Sequence, residues 1–251
     1  MKHPNIVEFE VTGAYGLFSD PVMRIGGEKC TYQIPTYEAL KGILSSVYWK
    51  PTIIWYIDAV RVMNQIQMEV KGIRPIKYTS KGNDLAYYTY LKNCRYQVRA
   101  HFEWNMNRPE LEKDRNENKH HNIAKRMIEK GGRRDIFLGT RECQGYVEPC
   151  VFGEGEGAYD YVDEISFGVM VHSITYADEG WSEETKGKMS LNLWRPVMRK
   201  GIIEFPRPSD IPDSMRKTIR EMSTKAFGVD LHNFSIAEEG GESCGVAAES
   251  L

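Results

Sequence analysis

Hydrophobic and polar residues alternate from Asn5 to Val11, with Val7, Phe9 and Val11 against Ile6, Glu8 and Glu10, which predicts a half-buried strand. Thr12-Gly-Ala-Tyr-Gly16 interrupts that alternation and predicts the strand's end. From Pro35-Thr36 the period lengthens: Leu40, Ile43, Leu44 and Val47 recur at spacings of three and four. The pattern predicts an amphipathic helix with Thr36 as its N-cap, ended by Pro51. Ile53 to Met63 is dense in β-branched and aromatic residues and predicts a second strand. Ile66 to Ile76 predicts a third, shortened or bulged by Gly72 and Pro75. Tyr96 to Trp104 alternates again as a further strand. Asn118 to Lys130 returns to helical spacing, buries Ile123, Ala124, Met127 and Ile128, and stops at Gly131-Gly132.

Past Pro149 the pattern changes. Ile165 to Thr175 and Met189 to Phe205 read as strands, and a short helical stretch is expected near Ser214 to Met222. The order strand, helix, strand, strand, strand, helix is compatible with a ferredoxin-like β-α-β-β-α-β unit carrying insertions. The expectation is therefore an α+β protein. A ferredoxin-like N-terminal domain spans 1–150, a smaller β-rich extension 151–236 and a flexible acidic tail 237–251. From Ala237 onward there are four Glu and no Lys or Arg.

Bulk composition narrows the function classes. The 251 residues are 41% hydrophobic and 27% charged, an ordinary globular balance. No apolar run approaches the roughly 20 residues that span a bilayer, and acids near the N-terminus break any signal-like apolar stretch, so a cytoplasmic protein without a membrane partner is expected. The five cysteines are scattered, without a C-x-x-C pair, and read as reduced structural thiols.

Charge is where the chain departs from the average. Between Lys113 and Arg141 nine Lys/Arg face four Asp/Glu, a local charge of +5 in a protein whose total is −2. Such a patch implies a directed anionic partner. Lys119, His120 and His121 open the second helix there. Adjacent helical residues diverge by roughly 100°, so the two histidines cannot serve one atom; a solvated polar first turn and an acid–base site both fit. Their spacing is not that of paired zinc ligands, and neither a metal nor a cofactor is expected. Gly131-Gly-Arg-Arg-Asp-Ile-Phe-Leu-Gly139, then Thr140-Arg141, offers glycines for close phosphate approach and arginines for bidentate contact, or simply a helix cap followed by a strand. It is not a P-loop. Aromatics at Tyr37, Tyr48, Trp49 and Tyr87 to Tyr90 suit base stacking or core filling. No G-x-S-x-G motif occurs.

Glu117-Asn-Lys-His-His-Asn-Ile-Ala-Lys-Arg126, running into Gly131 to Pro149, resembles the CRISPR-associated RNA-processing proteins of type I-C systems. These form the catalytic "d" branch of the fifth Cas family, in the repeat-associated RAMP superfamily. Val7 to Asp20, Pro35 to Leu44 and Tyr48-Trp-Lys-Pro-Thr52 are similar to it too. The resemblance reaches about Pro206. It implies an RRM-like fold and metal-independent cleavage of precursor CRISPR RNA within repeats. It also implies retention on the crRNA 5′ handle, beside other subunits of the type I-C interference complex. The family's catalytic Tyr, Lys and His fall on Tyr48, Lys119 and His120, with His121 leaving the histidine open by one position. Lys125, Arg126, Arg133, Arg134 and Arg141 are the expected RNA contacts. A subunit that holds the handle without cutting is the competing reading; a two-metal DNA nuclease lacks a carboxylate cluster.

Overall fold

The computed structural model describes residues 4–78 and 81–223. The expected acidic tail, 237–251, lies outside the described residues. Strands β1 (Val7–Gly16), β2 (Ile53–Val62), β3 (Gln67–Ile73) and β4 (Ala86–Trp104) are interleaved with helix α1 (Tyr37–Val47). Helix α2 (Glu117–Glu129) leads to β5 (Ile136–Phe137) and β6 (Gln144–Pro149). The remainder is strand and short turns: β7 (Ile165–Ser166), β8 (Met170–Thr175), β9 (Lys188–Trp194), β10 (Val197–Met198), β11 (Ile202–Glu204) and β12 (Arg216–Glu221).

The main sheet runs β11-β2-β4-β1-β6-β5, with antiparallel neighbours throughout. Within it the spatial order β2-β4-β1-β6, joined through α1 and α2, is the ferredoxin arrangement. The protein is α+β, as its patterning predicts. Val7, Phe9 and Val11 of β1 enter one core with Leu40 and Leu44 of α1 and with Ile123 and Ala124 of α2. Glu8 and Glu10 face away, the alternation of a sheet with one buried face.

Three expected boundaries differ. β1 does not stop at Thr12 but continues to Gly16, because Gly13 and Gly16 still pair with Cys94 and Leu91 of a long β4. A Cβ on Gly13 would stand 3.1 Å from Leu138, so close packing explains a glycine inside the strand. β4 itself has 19 residues rather than the nine predicted. Its first half pairs β3 and its second half pairs β2, with Asn93 at φ 52 where the partner changes. The third correction is the helix expected near Ser214 to Met222. That segment is strand β12, because the open edge of β9 supplies its backbone partners.

β8, β9 and β12 form a second sheet. It joins the first through Tyr37, His172, Trp194 and Phe205, with the His172 ring stacked 4.5 Å from that of Tyr37. The Gly153 to Gly157 loop closes around a buried cation. Arg61 donates to the carbonyls of Glu154 and Gly155 at 3.1 and 2.8 Å and to Asp160 at 2.8 Å.

Candidate active site

Two helix termini build the site. Thr36 caps α1, its hydroxyl accepting from the Ala39 amide, and the helix ends where Tyr48 turns extended at φ −155, ψ 126. The Tyr48 carbonyl accepts from the Trp55 indole at 2.7 Å, which ties this end to β2. Asn116 caps α2 by accepting from the Lys119 amide at 3.1 Å. That first turn presents Lys119 and His120 to the end of α1.

The Tyr48 hydroxyl and His120 Nδ1 are 2.7 Å apart. On the other side of the ring, Nε2 lies 2.8 Å from the Asp114 carbonyl oxygen and 3.4 Å from Asp114 Oδ2. A carbonyl only accepts, so Nε2 carries a hydrogen, and in the neutral ring Nδ1 accepts from the tyrosine. Phe102 and Trp104 flank the imidazole edge-on at 6.2 and 5.6 Å. His120 is 0% exposed and Tyr48 1%, whereas the Lys119 side chain retains 22%.

Asp114 gathers the cluster. Its carboxylate accepts from Lys119 Nζ at 2.8 Å and from Thr52 Oγ1 at 2.6 Å. Burial pushes this carboxyl up, but hydrogen bonds from His120, Lys119 and Thr52 outweigh it and hold the group well below the usual carboxylate range. Asp114 lies in an unremarkable charged run, Glu-Leu-Glu-Lys-Asp, and no sequence signal singled it out. Its spacing of five and six residues ahead of Lys119 and His120 was the only clue.

His121 points elsewhere: its Nε2 is 2.9 Å from the Ile6 carbonyl. With Lys125, Arg99, Glu8 and Asp58 it lines a cleft of about 1060 Å³. The expected RNA contacts do not line one cleft. Arg133 and Arg134 line a separate cleft of about 540 Å³ with Trp49, Lys50, Ser45 and Lys41. The Arg134 amide donates to the Ser46 carbonyl at 3.1 Å, fastening the glycine-arginine turn to the end of α1. Arg126 and Arg141 are exposed and line neither cleft. The glycines serve the protein's own backbone. Gly131 and Gly132, at φ 80 and 108, close α2 with amides donating to Ile128 and Met127, a Schellman cap. A Cβ on Gly139 would stand 2.0 Å from the Leu17 carbonyl.

A family model described as CRISPR-associated protein (Cas_Cas5), of the Cas5d type, matches residues 6–206. The chain belongs to the Cas5d family. A Cas5d relative from Mannheimia succiniciproducens, named a CRISPR pre-crRNA endoribonuclease, is 25% identical over 231 residues, covering 80% of this chain and 95% of its own. A crystal structure of a CRISPR-associated protein matches at 33% identity and TM-score 0.70, covering 85% of this chain and 96% of its own. A functionally uncharacterized Streptococcus mutans protein matches at 36% and 0.69, covering 85% and 97%. The Cas5d match spans the main sheet, strands β8 and β9 of the second, and every residue of the Tyr48–His120–Asp114–Lys119 cluster, and ends before β12.

Proposed function

We propose that this Cas5d protein cleaves precursor CRISPR RNA within its repeats by metal-independent attack of a ribose 2′-hydroxyl, and then keeps the 5′ handle within a type I-C interference complex. The observation that carries the reading is the 2.7 Å contact between Tyr48 and His120 Nδ1, with Lys119 on the same helix turn. In this reaction the 2′-oxygen bonds to the adjacent phosphorus and the P–O5′ bond breaks. The products are a 2′,3′-cyclic phosphate and a 5′-hydroxyl.

Each residue has a task suited to its place. Tyr48 takes the 2′-hydroxyl proton while passing its own to His120 Nδ1, so the histidine acts as a base through the phenol. Lys119, the most accessible of the three, meets the negative charge that builds on the phosphorane. The departing 5′-oxygen takes a proton from water. Because Tyr48 is turned inward, cleavage requires the ribose to reach its hydroxyl from the cleft beside it with the His120 contact kept. Arg133 and Arg134 hold the backbone there; Lys125, Arg126 and Arg141, outside that cleft, are longer-range contacts. Access to unpaired bases, rather than to the deep major groove of a hairpin, selects the repeat.

The burial of Tyr48 and His120 favours a second reading, a subunit that holds the handle without cutting. Incubating the protein with labelled repeat RNA in EDTA, beside RNA with a 2′-deoxy residue at the cut site, decides between them. One cut that leaves a cyclic phosphate and vanishes with the 2′-deoxy substrate supports the nuclease. Tight binding without cleavage establishes the holding subunit.

A further inference from the structure

We infer that Asp114 is the positioning residue of this site: it fixes the tautomer and orientation of His120 and holds Lys119 beside it. The inference deepens the ribonuclease reading and rests on it.

The geometry is one of competing demands on a single imidazole. An imidazole that receives a proton from Tyr48 must present a bare nitrogen to the hydroxyl, so its hydrogen must sit on the far nitrogen. Nothing in the ring itself enforces that choice. Asp114 does so twice: its carbonyl oxygen lies 2.8 Å from Nε2, and carboxylate Oδ2 follows at 3.4 Å. The same carbonyl accepts the Asn116 amide at 2.8 Å, which locks the turn that begins α2. A ring with its hydrogen on Nδ1 would set two acceptors against each other at Nε2.

The carboxylate also has a second duty. When His120 receives the proton, the new positive charge is enclosed by Phe102, Trp104 and Tyr48, out of reach of bulk solvent. A neighbouring carboxylate is the group that makes such a charge tolerable. Thr52 holds Oδ2, the oxygen that faces the ring, and Lys119 holds Oδ1. Lys119 is thereby held at the helix start instead of sweeping freely.

The test uses the full chain, with nitrogen-15 NMR of labelled histidine and single-turnover cleavage of repeat RNA. In wild type the His120 signal is that of an Nε2–H ring. Asp114→Asn, which keeps the shape and removes the charge, lowers the saturating cleavage rate about 100-fold. Its affinity for uncleavable 2′-deoxy repeat RNA stays within about twofold, and the histidine signal moves toward mixed tautomers. Thr52→Val, which loosens the carboxylate but keeps its charge, loses about tenfold in rate, and Asp114→Glu recovers part of the Asp114→Asn loss. An Nδ1–H ring in wild type would overturn the inference. So would a folded Asp114→Asn variant that cuts at the wild-type rate. If Asp114→Asn does not fold, an undiminished rate in Thr52→Val overturns it instead. Wild-type protein that binds the RNA without cutting removes the ribonuclease reading, while the tautomer measurement still decides the positioning.

Discussion

The Tyr48 hydroxyl and His120 Nδ1 meet at 2.7 Å although 72 residues separate them in the chain. The contact joins the C-terminal end of one helix to the N-terminal turn of the other, and both partners are buried. It leaves His120 Nδ1 reachable only through the phenol.

Tyr48→Phe isolates that hydroxyl. The ring still fills the core, so the protein folds, but His120 Nδ1 loses its partner, which costs about 1–3 kcal/mol of stability. The saturating single-turnover cleavage rate is expected to fall about 10²–10⁴-fold, because the proton relay is cut. Thermal denaturation and cleavage kinetics on one preparation separate the two effects.

The adjacent histidines are expected to part company. His120→Ala removes the partner of Tyr48 and should cost at least 10²-fold in rate. His121→Ala removes a bond to the Ile6 carbonyl. It should lower stability by about 1 kcal/mol while leaving the rate within about threefold. The reverse ranking would move the catalytic histidine by one position.

Arg133 and Arg134 line the cleft that begins at Trp49. Each arginine that neutralises a phosphate steepens the dependence of affinity on salt. Replacing either with Ala should therefore reduce the slope of log K against log salt by about 0.7 for single-stranded contacts. Arg141→Ala, outside that cleft, should change the slope less. Filter binding across a salt series measures both.

His172 predicts how stability responds to acid. Burial pulls its imidazole down to about 3, with a smaller opposing pull from the Pro206 backbone. In the unfolded chain the ring titrates near about 6.5. Between those values the unfolded state binds the additional proton, so this contribution is complete above pH 6.5 and declines as pH falls. The decline approaches about 1.4 kcal/mol per pH unit and levels off below the folded value. His172→Phe, which suits the neighbouring Tyr37 and Trp194 rings, should flatten the fall in urea midpoint between about pH 6 and pH 4.

Both helices were legible in the chain because their stripes are long and their caps conventional: Thr36 and Asn116 accept amides, and two glycines close α2. β12 was not, since Arg-Lys-Thr-Ile-Arg-Glu has no commitment of its own and takes its conformation from β9. β4 was half legible. Its second half alternates cleanly, while its first half depends on β3 lying beside it. At the site, residue types were readable and partnerships were not. The chain displays Lys119 and His120 side by side, but only the fold shows that Asp114 binds to both. Of the two readings open for the glycine-arginine turn, its glycines fit the helix cap: Gly131 and Gly132 close α2, and Gly139 approaches the Leu17 carbonyl.

β11 pairs with β2 along Ile202↔Arg61, Ile203↔Val60 and Glu204↔Ala59. β2 is made early, and its outer edge stays without a neighbour until residue 204 has been synthesised. Throughout that interval a largely apolar strand presents unpaired amides and carbonyls, the template on which chains aggregate. Synthesis that stalls before residue 204 would thus yield an adhesive fragment rather than a smaller working protein. The strand that seals the sheet is three residues long.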